Sequence, residues 1–192
     1  MKQRYAIEAL SFHCIDESGK DWLGSDEPMF VFTWTNGANG ATTRTREFGD
    51  VDSGDKRAVN QFIAGSKAKG VAGPIGLSVQ LYEIDQGGHD NVKNTVDKVL
   101  TAAKIGTILL GGPPVPVLPD PVLDKLTTLF GNDLLGSVNV TFSAAQLQQR
   151  LPKVGQSFAH VVRFKGDNGF FDFEGGADYD LVLRVARRAD AA

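Results

Sequence analysis

The chain contains 192 residues, with 42% hydrophobic and 22% charged residues, which is the composition of an ordinary globular protein. Its 20 Lys and Arg residues are outweighed by 23 Asp and Glu residues, so the formal net charge is −3. These values exclude a disordered or fibrous chain, and a weakly acidic protein has no general attraction for nucleic acid. The length favours one domain with a single core over residues 1–192, and no nucleic-acid partner is expected.

Most of the sequence alternates apolar and polar residues with period two, which is typical of strands with one face in a core. In the first run, residues 5–14, the apolar parity changes after Ala9, and this change predicts a β-bulge. Later runs with clean alternation begin near residues 29, 75, 138, 158 and 179. Seven or eight short strands of this kind predict an antiparallel β-sandwich.

Residues 90–131 interrupt the strand pattern. Between residues 90 and 110 the apolar residues are spaced by three and four, which predicts an amphipathic helix. After a proline-rich segment, Asp120 suits an N-cap, Pro121 suits the first helical position, and Gly131 suits the C-terminal end of a second helix. We therefore expect a helical hairpin inserted into one loop of the sandwich. A further short helix is expected over residues 143–151.

The sequence carries no sign of a disulfide or of a secretory leader. Its single cysteine, Cys14, is expected to be a small apolar residue within a strand. No apolar signal core follows the charged N-terminal residues, and the longest uncharged stretch, residues 105–119, is shorter than the about 20 residues that span a membrane. We expect a cytoplasmic protein, or one exported without a classical signal peptide.

Acidic residues are concentrated in the predicted loops, around residues 16–27, 50–55 and 85–90. Carboxylates brought together repel one another, so such a cluster needs a cation, a proton or free access to water. Ca²⁺ prefers about 6–8 hard oxygen ligands, which these loops would supply. The pattern is thus compatible with a Ca²⁺ site, although composition alone favours solvated turn residues.

Two regions carry a more specific pattern. Gly24-Ser25-Asp26-Glu27-Pro28-Met29-Phe30-Val31 resembles the Ser-Asp-Pro-Tyr-Val stretch that opens the second strand of calcium- and phospholipid-binding C2 domains. Leu81-Tyr82-Glu83-Ile84-Asp85 and Asn132-Asp133-Leu134-Leu135-Gly136 are similar to that family's Asp-x-Asp segment and to its later Asn/Asp-Asp-φ-φ-Gly segment, where φ is apolar. Here Glu83 replaces an aspartate, and the helical insertion lies between Asp85 and Asp133.

The resemblance implies a C2-like antiparallel β-sandwich of seven to eight strands with an inserted helical hairpin. It also implies a set of candidate Ca²⁺ ligands on the loops at one end of the sandwich: Asp16, Asp21, Asp26, Glu83, Asp85 and Asp133. A Ca²⁺ ion held there would let an acidic loop face anionic membrane lipid or an acidic protein partner.

Two other functions are compatible with the sequence. The apolar hairpin would dock to a partner or a membrane without metal, as in a toxin-like protein, through residues such as Val96, Leu109, Leu110 and Leu126. The favoured alternative is that the hairpin packs its apolar stripe onto the sandwich. Metal-assisted hydrolysis at the same carboxylates is the third function, but the sequence has no nucleophile or base signature, so we expect a non-enzymatic protein. The oligomeric state is not determined by the sequence.

Basic residues occur in two clusters. The first comprises Arg44, Arg46, Lys56 and Arg57, which we interpret as charges on a solvated edge strand. The second is the pair Arg187-Arg188 near the C-terminus, interpreted as a solvated chain end.

Overall fold

A computed structural model describes residues 3–17, 27–83, 106–108, 115–117, 134–165 and 177–189. Its elements, in chain order, are β1 Arg4–Asp16, β2 Pro28–Thr35, β3 Gly40–Arg44, β4 Lys56–Ala64, β5 Val71–Ala72, β6 Ile75–Glu83, β7 Gly106–Ile108, β8 Val115–Val117, β9 Leu134–Phe142, α1 Ala144–Arg150, β10 Ser157–Phe164 and β11 Asp178–Arg188. Sheet A has the order β10-β11-β1-β4, with β5 also paired to β1, and sheet B has the order β3-β2-β6-β9. All neighbours in both sheets are antiparallel.

The two sheets share one hydrophobic core, as their alternating sequences predict. Phe12 of sheet A lies against Phe30 of sheet B, with ring centroids 5.3 Å apart. On β10, Phe164 reaches Phe30 at 6.0 Å, so the aromatic cluster joins both sheets near one end of the sandwich. The predicted antiparallel β-sandwich is therefore confirmed.

The predicted bulge in β1 is also confirmed. The ladders that β1 forms with β11 and with β4 both shift register between Ala9 and Ser11. The shift keeps Ile7 and Ala9 in the core on one side of the bulge, and Phe12 and Cys14 in the core on the other side. Cys14 is a buried free thiol, as expected.

The structure corrects part of the predicted helical insertion. Residues 106–108, expected to lie at the end of a helix, form β7, which pairs antiparallel with β8 in the segment expected to be a proline-rich linker. Gly106 is a weak helix former, and the β-branched residues Thr107 and Ile108 favour strands, so local preference opposes the helical spacing here. The rest of the insertion, including Val96, Leu109, Leu110 and Leu126, lies outside the described residues.

The described part of the insertion lies on sheet B. Strand β8 contacts β2 and β6, on which the side chains are buried on both faces of the sheet. Met29 and Val31, which alternate with the core residues Phe30 and Phe32, are 3% and 1% exposed. Burial raises the pKa of the Tyr82 phenol on this face. The central strands β2 and β6 of sheet B are thus buried on both faces, whereas its outer strands β3 and β9 are partly exposed.

The short helix predicted near residue 143 is confirmed as α1. Ser143 is its N-cap, and the Ser143 and Gln146 side chains form a reciprocal capping box. Leu147 is the only fully buried residue of α1 and joins the main core. The helix places Arg150 over the ring of Phe158 on β10, 3.6 Å from its centroid.

His160 on β10 supplies a testable pH dependence. Burial, and secondarily the charge of Arg150, lower the pKa of His160 from its usual value of 6.5. The folded state therefore binds this proton more weakly than the unfolded state, and the free energy of unfolding should fall as the pH drops below that value.

We expect urea unfolding to show a smaller loss of stability between pH 7 and pH 5 in His160→Gln than in the original chain. The pKa of Asp180 is lowered by a hydrogen bond from Arg163, and its contribution is lost only at more acidic pH, below this window. An equal loss in both proteins would contradict the role given to His160.

Candidate metal-binding end of the sandwich

Strand pairing brings several predicted site segments to one end of the sandwich. In sheet B, Pro28 at the start of β2 pairs with Glu83 at the end of β6, and Leu134 at the start of β9 pairs with Tyr82. In sheet A, β1 ends at Asp16, which pairs with Asp178. The chain therefore leaves β1 and β6, and enters β2 and β9, at this end.

The loop between β3 and β4 joins the two sheets at the same end. Its Phe48 amide donates to the Pro28 carbonyl on sheet B at 3.1 Å. On sheet A, the Cys14 amide donates to the Asp55 carbonyl at 2.9 Å, and the Gly54 amide donates back to the Cys14 carbonyl at 2.8 Å. Val51, which is fully buried, anchors the middle of the loop in the core. The loop therefore has a fixed position against both sheets.

Carboxylates dominate the described residues at this end. The Glu17 amide donates to the Ser53 hydroxyl at 3.1 Å, which places the start of the β1–β2 loop beside the β3–β4 loop. We call this region the acidic end, and its described carboxylates are Asp16, Glu17, Glu27, Glu47, Asp50, Asp52, Asp55, Glu83 and Asp178.

Cations at the acidic end are fewer, and one of them is fixed by a carboxylate. The Arg57 guanidinium lies 2.6 Å from the Asp55 carboxylate and donates at 2.7 Å to the Asp50 carbonyl. Asp16 and Asp52, in contrast, are exposed, and neither forms an ion pair with another described residue. Their charges therefore contribute to a negative potential at this end.

The structure describes two of the six predicted Ca²⁺ ligands. Asp16 and Glu83 both lie at the acidic end, on different sheets. Asp21, Asp26, Asp85 and Asp133 lie outside the described residues, although three of them are within two positions of Glu27, Glu83 or Leu134 in the chain.

The donors present have the chemistry of a Ca²⁺ site but do not complete one. Within the described ranges, no three His, Cys, Asp or Glu side chains are grouped closely enough to hold a metal ion. Carboxylates and the Ser53 hydroxyl are hard oxygen donors, which suit Ca²⁺ better than a metal that prefers nitrogen or sulfur. A complete ligand set would therefore require carboxylates from outside the described residues.

The prediction from sequence did not include Asp50 and Asp52 in the candidate site. The acidic segment Asp50-Val51-Asp52-Ser53-Gly54-Asp55 can be recognised in the sequence. Its sequence does not show which strands it contacts in the fold. That information resides in the Cys14, Gly54 and Asp55 hydrogen bonds, which depend on the register of β1 with β4.

No protein-family model and no curated protein sequence matches this chain. Among solved structures, human GIVD cytosolic phospholipase A2 is similar, with 8% identity over 99% of this chain and a TM-score of 0.46. The chain spans only 17% of that structure, and 18% of the same enzyme in complex with methyl gamma-linolenyl fluorophosphonate inhibitor and terbium chloride. A C2 domain of plant extended synaptotagmin 1 is 8% identical over 99% of this chain and 97% of its own, with a TM-score of 0.43.

These likenesses concern the fold alone. Among the helices that the structure describes, none has the length and apolar content needed to span a bilayer. The two antiparallel layers, one of five strands and one of four, enclose a shared core and form a β-sandwich.

Proposed function

We propose that the protein is a non-enzymatic binding module whose acidic end binds Ca²⁺ and then an anionic lipid surface. The observation that carries the proposal is the convergence of the β1 end, the β6 end and the β3–β4 loop, which brings Asp16, Glu83 and Asp52 to one end of the sandwich. Such a concentration of carboxylates is stabilised when a cation reduces their mutual repulsion.

In this proposal, Asp16 and Glu83 act together with Asp21, Asp26, Asp85 and Asp133 as the oxygen ligands. Bound Ca²⁺ would invert the local potential, so that phosphate headgroups are attracted to a surface that otherwise repels them. Ile15 and Leu134, 39% and 43% exposed near the same end, would supply apolar contact with the interface.

The first experiment is a thermal melt in excess EDTA, in millimolar Ca²⁺ and in millimolar Mg²⁺. Ca²⁺ that binds only the folded state should stabilise it by roughly 2.7 kcal/mol at a hundredfold excess over the dissociation constant. We expect the Asp26→Asn/Asp85→Asn variant to lose this stabilisation. Asp190→Asn, which changes a carboxylate near the C-terminus, should keep it.

The second experiment measures co-sedimentation with phosphatidylcholine vesicles that contain phosphatidylserine. Binding should require Ca²⁺, weaken in Ile15→Ser, and be absent from vesicles of phosphatidylcholine alone. The absence of a Ca²⁺-selective thermal shift would overturn the metal-dependent proposal. Vesicle binding that persists in EDTA and is lost in Leu109→Asp or Leu110→Asp would instead support docking through the insertion.

A further inference from the structure

The opposite end of the sandwich is basic. At this end β1 and β10 begin and β11 ends. The β4–β5 loop and α1 are located at the same end. We call this region the basic end, and its cations are Arg4, Lys67, Lys69, Arg150, Lys153, Arg187 and Arg188. The described residues around it, 3–7, 35–40, 64–76, 143–158 and 185–189, contain no Asp or Glu. The small net charge of the chain therefore conceals a separation of charge between its two ends.

The fold holds these cations close to one another. Arg4 and Arg188 are directly opposite in the β1–β11 ladder, an arrangement in which like charges repel. The Arg4 guanidinium donates to the Gly70 carbonyl at 3.1 Å, which places Arg4 beside the loop that carries Lys69. No ion pair joins either arginine to a carboxylate in the described part of the chain. An external anion that binds beside both arginines would therefore reduce their mutual repulsion.

Strand β11 and the turn before β10 bring further positive charge to the same place. The Arg187 guanidinium donates to the carbonyls of Leu151 and Pro152, which fixes the turn that carries Lys153. Next to Lys153, Val154 is 56% exposed. The basic end thus combines positive charge with an exposed apolar side chain, while the acidic end combines negative charge with exposed Ile15 and Leu134.

We propose that the basic end of one copy binds the acidic end of a second copy, so that the protein self-associates head to tail. The two surfaces are complementary in charge, and each carries apolar side chains that a protein contact would bury. The 13-residue β1 separates them by about 40 Å, several times the screening length at physiological salt, so the two ends do not neutralise each other within one molecule.

This geometry determines the kind of assembly. The two surfaces differ, so the contact is heterologous and leaves one free acidic end and one free basic end, unless a ring closes. Each exposed ion pair contributes little free energy, so the association is weak and depends strongly on salt. The charges involved all belong to described residues, and the association does not require Ca²⁺.

The test is sedimentation velocity over a range of protein concentrations, in EDTA throughout. At about 0.03 M salt we expect the weight-average sedimentation coefficient to rise with concentration, and at about 0.5 M salt we expect a monomer, because added salt shortens the screening length. Two variants each block one end. Lys67→Gln/Lys69→Gln/Lys153→Gln removes exposed basic-end charges, and Asp16→Asn/Asp52→Asn removes exposed acidic-end charges, so that neither change creates a new surface of opposite charge.

Each blocked variant should be monomeric alone at low salt, while an equimolar mixture should form a complex of two chains and nothing larger. Mixing is decisive because one variant keeps its acidic end and the other keeps its basic end. These two intact ends can bind each other only when the two variants are mixed. The control, Lys56→Glu/Lys165→Glu, adds negative charge near the acidic end and should still self-associate. Circular dichroism and melting of each variant confirm that the fold is kept.

Three results would overturn the proposal. The first is an original chain that stays monomeric at low salt and high concentration. The second is a mixture of the blocked variants that contains no complex. The third is a monomeric chain that binds phosphatidylserine vesicles in EDTA through the basic end and loses this binding in the basic-end variant, which would assign the surface to lipid instead.

Discussion

Replacing Phe12 with alanine should lower the free energy of unfolding by about 3–5 kcal/mol. Phe12 is 1% exposed, and its ring lies 5.3 Å from Phe30, 4.9 Å from Phe48 and 5.9 Å from Tyr179, measured between ring centroids. The substitution removes a side chain shared by both sheets and by the β3–β4 loop. The surrounding strands are hydrogen-bonded on both sides, so they cannot collapse fully into the space left behind.

Urea unfolding at pH 7 measures this loss. Val161→Ala is the matched control in the same sheet, because Val161 is 51% exposed and its truncation should change stability by less than about 0.5 kcal/mol. We also expect Phe12→Leu to retain more of the stability than Phe12→Ala, since it leaves a smaller cavity. A Phe12→Ala variant as stable as the Val161→Ala control would contradict the position of Phe12 between the sheets.

The core was predictable from sequence because its physics is local. Alternation in β6 and β11 requires only that one face of each strand be apolar, and the structure buries Leu77, Val79, Leu181 and Leu183 accordingly. The bulge in β1 was predictable for the same reason, since only an extra residue reconciles the two parities of its apolar side chains. In both cases, neighbouring residues contain the whole signal.

The insertion was predicted less well because two local signals compete there. Apolar residues at helical spacing continue into β7, whereas Thr107 and Ile108 are β-branched and pair with β8. Contact of β8 with sheet B decides where this segment lies, and residues distant in sequence provide that contact. One clue was present in β2, where Met29 and Val31 add apolar residues to the face that points away from the core.

The two charged ends were only half predictable. The acidic loops were evident from composition, but the contact of Gly54 and Asp55 with the end of β1 depends on the register of β1 and β4. The pair Arg187-Arg188 was interpreted as a solvated chain end because its partner, Arg4, lies at the other end of the sequence. Only the β1–β11 ladder brings Arg4 opposite Arg188.

A second large effect is expected for Gly65→Ala, which should lower the free energy of unfolding by about 2–4 kcal/mol. Gly65 has φ +72, where an L side chain is strained, and an added Cβ would lie 2.7 Å from the Lys69 carbonyl oxygen and 3.2 Å from that of Tyr5. Both neighbours are backbone atoms, and the Lys69 carbonyl also accepts a hydrogen bond from the Ser66 amide at 2.7 Å. The turn and β1 would therefore have to separate.

Gly37→Ala separates the two causes of this loss. Gly37 has φ +85, but an added Cβ would meet nothing within 4 Å, so its substitution carries backbone strain without a clash and should cost about 1 kcal/mol. Urea unfolding of both variants gives the contribution of the clash as the difference between them. Equal losses would show that the Lys69 carbonyl is not packed against Gly65. A larger loss in Gly65→Ala, together with weaker self-association of the folded variant, would connect this close contact to the placement of Lys67 and Lys69 beside Arg4.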